Sequence, residues 1–280
     1  MIKTTALSLV AAIGLVSSSA HAAVVVVTPS AMGDWAFANS DVNGTVGANS
    51  TGVGAMVTGP ATPPLGVGSA NLATGNGTAG GDGAAILSNS GFAGVALSSI
   101  TSLSYATYDT KNNGQQFPYL SLEVETSTGV FDQLFFEPPY QTATTGNPLL
   151  PDQGATAPST WQTWNALEGG WWDNQGLCGS PGTGVASFAT CEAALPGATI
   201  VNSFGTPGIL DGVGGIQLAV GFAGPTDQFD GNVDAVTIGD GGGTTTFDFE
   251  PAAAVPEPAT LALFGIGLLA LGVMRWRKAA

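Results

Sequence analysis

Alternation of apolar and polar residues dominates the middle of this chain, and helical periodicity is weak from residue 23 to residue 254. Residues 119–126 place Leu120, Leu122 and Val124 on one face and Ser121, Glu123 and Glu125 on the other, the two-residue period of a strand. Residues 130–136 form another apolar run after a Ser127-Thr128-Gly129 turn, so the two segments read as a hairpin. Residues 97–108 alternate as well, with Leu103, Tyr105 and Thr107 on one face. Further strands are predicted at 24–27, 84–87, 199–204, 215–222, 232–238 and 244–249. Residues 34–83 differ: Gly, Asn, Thr and Ala prevail, and the turn pairs Asn43-Gly44, Asn76-Gly77 and Asp82-Gly83 recur. That stretch reads as short strands between long loops. Many short strands with Gly-rich turns predict an all-β domain over residues 23–251, a jelly-roll-like sandwich with long Gly-rich loops.

The two ends break this pattern with continuous apolar runs. Lys3 precedes an apolar stretch at 6–16, interrupted only by Ser8 and Gly14, and Ala20-His21-Ala22 follows with small residues at its first and third positions. This is the order of a secretory signal peptide over residues 1–22, cleaved after Ala22 by signal peptidase. The run is well short of the ~20 residues a spanning helix needs. His21 is the single histidine and leaves with the signal, which removes imidazole bases, Ser-His-Asp triads and His metal sites together. At the other end, a short linker at 252–254 leads to Val255-Pro256-Glu257-Pro258, then an apolar stretch at 259–274, then Arg275, Arg277 and Lys278. At 1.5 Å per residue the apolar stretch spans about 24 Å as a helix, and Trp276 with the basic side chains extends it to the interfaces of a ~30 Å hydrocarbon core. A single transmembrane helix with a cytoplasmic basic stop is the expectation.

Val-Pro-Glu-Pro, an apolar helix with glycines and an Arg-rich end resemble the PEP-CTERM sorting signal, with Pro256, Glu257, Pro258, the 259–274 helix and the basic residues Arg275, Arg277 and Lys278 as the matching parts. The resemblance implies recognition over residues 255–280 by an exosortase, a membrane-embedded cysteine protease-transpeptidase of Gram-negative bacteria. It also implies a precursor held transiently in the inner membrane, removal of the tail, and delivery to the cell surface or extracellular matrix. The two prolines around Glu257 hold the backbone extended and withhold two amide donors, a form that a protease cleft accepts. In the body, Ser102-Leu103-Ser104-Tyr105, the strand at 119–124 and the Asp-Gly-x-x-Asp-x-Val-x-Ile stretch at 230–238 resemble exported bacterial β-sandwich domains akin to lectins and carbohydrate-binding modules. This second resemblance bears on fold more than on activity.

Charge narrows the partners. Between residues 24 and 255 Lys111 is the one base against nineteen acids, a net charge of −18. Such a surface repels phosphate backbones and argues against nucleic acid. Cys178 and Cys191 are the only cysteines, with twelve residues between them, and an oxidising compartment predicts a disulfide between them. Trp161, Trp164, Trp171 and Trp172 lie within twelve residues. They read either as packing over one end of the sandwich or as a stacking platform for sugar rings, with Asp173 and Asn174 binding hydroxyls. Asp227, Asp230, Asp234 and Asp240, with Asn232 among them, form an oxygen-rich set of the kind that binds Ca²⁺, Asp230 and Asp234 foremost, or else simply solvated turns; the spacing is not that of an EF-hand loop. No other cofactor is expected. Glu123 and Glu125, roughly 7 Å apart by strand rise, would permit two-carboxylate glycoside hydrolysis. The first reading is a non-enzymatic structural or adhesive protein of the surface or biofilm polysaccharide. A carbohydrate-binding module comes second and a glycoside hydrolase third.

Overall fold

The computed structural model describes residues 22–41, 45–47, 51–75, 83–202, 213–221 and 228–252. One sheet of seven strands contains β1 (Ala23–Val27), β3 (Val53–Thr58), β4 (Gly68–Thr74), β6 (Ser102–Lys111), β9 (Gln162–Asn165), β14 (Phe229–Asp240) and β15 (Gly243–Phe249). A second sheet of eight contains β2 (Trp35–Ser40), β5 (Ala84–Asn89), β7 (Tyr119–Glu125), β8 (Phe131–Phe136), β10 (Gly170–Asp173), β11 (Ala186–Ser187), β12 (Thr199–Ile200) and β13 (Ile216–Gly221). The larger sheet runs β11-β10-β8-β7-β13-β5-β2, with β12 beside β7. One apolar core draws on both sheets and on the short helix α1 (Phe188–Ala194).

The hairpin read from alternation is β7–β8, in register from Leu120↔Phe136 to Glu125↔Phe131. Gly129 closes it in the left-handed region at φ +80° and donates to the Thr126 carbonyl at 2.9 Å. Leu120, Leu122, Val124, Leu134 and Phe136 enter the core, all at most 1% exposed. Leu103, Tyr105 and Thr107 are likewise buried together on β6. The strand predicted at 97–108 begins only at Ser102, because Leu97–Ser99 forms a 3-10 turn in which the Ser99 hydroxyl bonds the Ala96 carbonyl at 2.7 Å. Local side-chain bonding of this kind competes with a ladder. Of the segments predicted at 199–204 and 215–222, strand is found at β12 and β13, residues 201, 202 and 215 are described but not strand, and residues 203, 204 and 222 lie outside the described residues.

Residues 34–83 hold three full strands, β2, β3 and β4, where the sequence reads as mostly loop. Small residues share their interior with Trp35, Phe37, Met56 and Leu72, which hides the alternation. Ala70 and Leu72 are fully buried, and a Cβ at Gly54 would lie 2.2 Å from the Phe37 ring. The small residue on one sheet thus admits an aromatic ring from the other.

β14 is the spine of the seven-stranded sheet. On one side it pairs with β6 throughout. On the other it pairs first with β4 and then with β15. A bulge marks the change of partner, with the register shifting between Asp234 and Thr237 and Ala235 at φ +52°. Gly231 leaves room for the residue that precedes β7; a Cβ there would stand 2.4 Å from Pro118 Cγ. The first and last strands, β1 and β15, run parallel in register from Ala23↔Thr245 to Val27↔Phe249.

With so few cations, the carboxylates take their partners from the backbone. Asp234 accepts from the Leu65 and Phe249 amides, both at 3.1 Å, and fills the fork at the bulge. Glu250 accepts from Val67 at 2.6 Å and Gly68 at 3.2 Å. Asp173 accepts from Leu177 at 2.6 Å, Cys178 at 2.8 Å and Gly179 at 3.0 Å. Burial pushes the Asp173 carboxyl up, but these amides and the Asp132 side chain outweigh it and hold the group below its ordinary value. Asp132 meets Asp173 side chain to side chain, and burial together with that contact pushes Asp132 up to about 7. Burial and the neighbouring carboxylate thus favour a neutral Asp132 beside an ionised Asp173. Burial also raises Asp109 and Asp234 to about 6 each.

The Cys178–Cys191 disulfide forms, with its Cα atoms 4.7 Å apart. It ties the loop after β10 to α1, whose Ser187 cap accepts from the Thr190 amide at 3.1 Å. In the chain-entropy picture a loop of this size contributes about 3 kcal/mol. Serine at both positions should lower Tm on the order of 5–10 °C and open residues 174–187 to limited proteolysis; unchanged cleavage after reduction would contradict this. The acids give a second expectation. An unfolded aspartate releases its proton near pH 4, whereas Asp109, Asp132 and Asp234 hold theirs to about 6–7 in the fold. Between those limits the folded state binds more protons, so stability falls as pH rises. Asp173 works the opposite way, and only in more acidic solution. Thermal melting should be higher at pH 5 than at pH 8 by about 5 °C, and Asp132→Asn should flatten that slope by stabilising the protein at pH 8.

Candidate functional site

The outer face of the eight-stranded sheet carries an unusual row of side chains. On β7 and β8 the outward positions are Tyr119, Ser121 and Glu123, and Gln133 and Phe135. This face is not a solvated one. Ser121, Glu123, Gln133 and Gln217 are each at most 4% exposed. They pair across strands, Gln133 donating to Ser121 at 3.2 Å and Gln217 donating to Glu123. Ala84, Ile86, Tyr119, Phe135, Val213 and Ala219 form a second apolar cluster on this face, with Trp172 packed against it.

At the β10 side of that face lies an open cleft of about 370 Å³. Its aromatic wall follows from strand register. Trp172 is paired with Phe135, so the two outward rings stack at 4.3 Å and 15°. Tyr119 adjoins Phe135 at 6.1 Å, tilted by 53°. Past the end of β8, Pro138–Tyr140 makes a 3-10 turn that brings Tyr140 to the cleft, its amide bonding the Glu137 carbonyl at 3.1 Å. Glu137 accepts from the Trp172 indole N–H at 2.8 Å, which fixes both groups. Gln116, Gln133 and Asn174 supply amides to the same cleft. Burial raises the Glu137 carboxyl above its ordinary value, and the indole bond draws it partly back. The Tyr119 and Tyr140 hydroxyls are raised by burial and then by Glu137.

The four clustered tryptophans separate. β9 and β10 belong to opposite sheets, so the segment from Trp161 to Trp172 is a crossing from one sheet to the other. Trp164 and Trp171 are fully buried in the core, and their indoles donate to Thr107 at 2.8 Å and Ala166 at 2.7 Å. Trp161 is half-buried by the other sheet, packed on Tyr108 at 5.6 Å and bonded to the Pro60 carbonyl at 2.9 Å. Asp173 is buried and committed to the 177–179 amides. Only Trp172 and Asn174 of the predicted sugar-binding set reach the cleft. Tyr119, Phe135, Glu137 and Tyr140 were missed by looking for tryptophan density. The signal that could have found them was the aromatic residue at alternate positions of an otherwise polar hairpin face.

The remaining candidates have structural partners. Asp230 accepts from Asn71 at 2.6 Å, and Asn232 donates to Ser69 at 2.9 Å. Asp234 is held at the β14 fork, and Asp240 accepts from the Gly242 amide at 2.7 Å in the β14–β15 turn. Asp227 lies outside the described residues. Among the described residues no three His, Cys, Asp or Glu side chains gather as a metal-holding group. Glu123 is buried against Gln217, while Glu125 is half-buried at the end of β7. Ala22 is exposed just before β1. Ala20, the Val255–Pro258 motif, the 259–274 stretch and the basic residues Arg275, Arg277 and Lys278 lie outside the described residues. Among those that are described, no helix is long and apolar enough to cross a membrane.

No curated protein and no solved structure matches the chain. Residues 254–278 match the family model of the PEP-CTERM protein-sorting motif, one residue earlier at its start than the segment read from the sequence, and this tail marks an exported protein processed by an exosortase.

Proposed function

We propose that the exported body is a non-enzymatic adhesive protein of the cell surface or extracellular matrix, and that its β-sandwich holds polysaccharide in the Tyr119–Phe135–Trp172 cleft. The observation that carries this reading is the cleft itself: the half-buried Trp172, backed by the buried Phe135 and Tyr119, beside amides and one carboxyl on the outer face of the eight-stranded sheet. A pyranose ring has an apolar C–H face and an edge of hydroxyls. Aromatic rings take the first, and Gln116, Asn174 and Glu137 take the second. Holding is favoured over cutting, because Glu137 is the one carboxylate among the described residues of the cleft, whereas two-carboxylate hydrolysis uses an opposed pair. Export and tail processing deliver such a domain to where polysaccharide is. The two-sheet, mostly β arrangement fits the same reading.

Two measurements test it. Intact mass of the protein recovered from the cell surface should show a chain that starts at Ala23 and has lost the segment after the Pro256-Glu257-Pro258 motif; Met1 and Ala280 retained together would contradict the proposal. On a glycan array the exported protein should bind, and Trp172→Ala should weaken binding at least ~10-fold with its melting curve preserved. Trp161→Ala, across the sandwich, should bind as the parent does.

A further inference from the structure

The cleft combines two features that a plain sugar platform does not need together. Four aromatic residues, Tyr119, Phe135, Tyr140 and Trp172, line it, and a half-buried carboxyl, Glu137, lies among them. No Lys or Arg is present among its described lining residues. Glu137 has one hydrogen-bond donor in the indole of Trp172, but that bond does not cancel a charge. The ring faces present negative quadrupole density, and the body around them carries −18 between residues 24 and 255. Aromatic walls around a carboxylate form a receptor for an ammonium group, and a desolvated cation–π contact adds to the ion pair. The same surroundings disfavour uronates, sulfates and phosphates, which would bring a second anion to Glu137.

Resting on the polysaccharide reading above, we infer that the ligand of this cleft is a cationic amino sugar, a hexosamine unit with a free ammonium paired to Glu137 and its ring stacked on Trp172. Phe135 fixes the plane of Trp172 through their stack, and the Trp172 indole fixes the Glu137 carboxylate, so the ring site and the charge site are positioned as one unit. The raised Glu137 carboxyl agrees with this, since it marks a carboxylate that has been desolvated without a cation.

The test uses the full exported protein and three tetrasaccharides: a β-linked glucosamine tetramer, its fully N-acetylated counterpart and a uronate tetramer. Titration calorimetry in mildly acidic solution, about two units below the ~8 of an α-amino group so that the less basic sugar amines are charged, should give at least ~10-fold tighter binding of the free-amine tetramer than of the N-acetylated one, and no binding of the uronate. Glu137→Gln should erase that preference while leaving weak binding of the N-acetylated tetramer. Glu168→Gln removes an equal charge from an exposed position outside the cleft and should leave the preference intact. Trp172→Ala should abolish binding of both. Equal binding of the two amino-sugar forms by the parent, or a preference that survives Glu137→Gln, overturns the inference and leaves the polysaccharide reading standing. Binding of none of the three, with none on a neutral glycan array, overturns both. Circular dichroism of each variant separates loss of the site from loss of the fold.

Discussion

The constraint behind most of this structure is a shortage of cations. A body with nineteen acids and one base cannot stabilise its buried carboxylates by ion pairing, and a buried charge without a partner costs several kcal/mol. The chain meets this with backbone amides. Asp173 binds three successive N–H groups of one loop, Glu250 binds two of another, and Asp234 bridges the strands that separate at the bulge. Each of these carboxylates does for a loop or fork what a helix cap does for a helix end. Where amides are insufficient, the neutral form is favoured instead, as at Asp132 beside Asp173. The acidity that composition presents as a surface property is therefore partly internal, and it organises the connections between strands.

Glycine has a matching role. Gly66 and Gly68 leave room for Glu250 and Pro251, since a Cβ at Gly66 would fall 1.5 Å from the Glu250 carboxylate and one at Gly68 would fall 2.2 Å from Pro251. Gly54 admits Phe37, and Gly231 admits Pro118. In these places a small residue on one segment is the space that a large or charged residue of another segment occupies. This explains why 34–83 reads as loop and folds as sheet. Strand prediction rests on apolar side chains at every second position, and here half of that signal is supplied by the partner strand. By contrast β7, β8 and β15 were legible because each carries its own apolar face.

The site was less legible than the fold, for a related reason. Tryptophan is conspicuous in a sequence, but four of them near one another say nothing about which sheet each will join. A crossing segment sends its large residues inward, and Trp164 and Trp171 fill the core while Trp161 and Trp172 end on different sheets. A cleft on a sheet surface is assembled from neighbours across strands, and that information lies in register. Phe135 meets Trp172 because β8 and β10 pair at that position, with 36 residues of chain between them that carry no sign of it. Cross-strand placement is the part of a β-fold that local pattern does not encode.

Register also joins the body to its processing. Among the described residues β1 pairs only with β15, the last strand of the body, and the Glu250 amide closes the pair on the Val27 carbonyl at 2.9 Å. This contact spans more than 200 residues, so it is among the most non-local in the molecule, and contacts of that kind form late. The seven-stranded sheet cannot gain β1 until residue 249 has emerged on the exported side. A tail that halts in the bilayer directly after that point would hold the last strand outside, next to the rest of the body, while the sheet closes. The β1–β15 pair itself needs no sequence beyond Glu250 to complete it. The order of parts along the chain is in this sense an order of events: the sheet closes on its last strand, and the sorting motif follows directly in the chain.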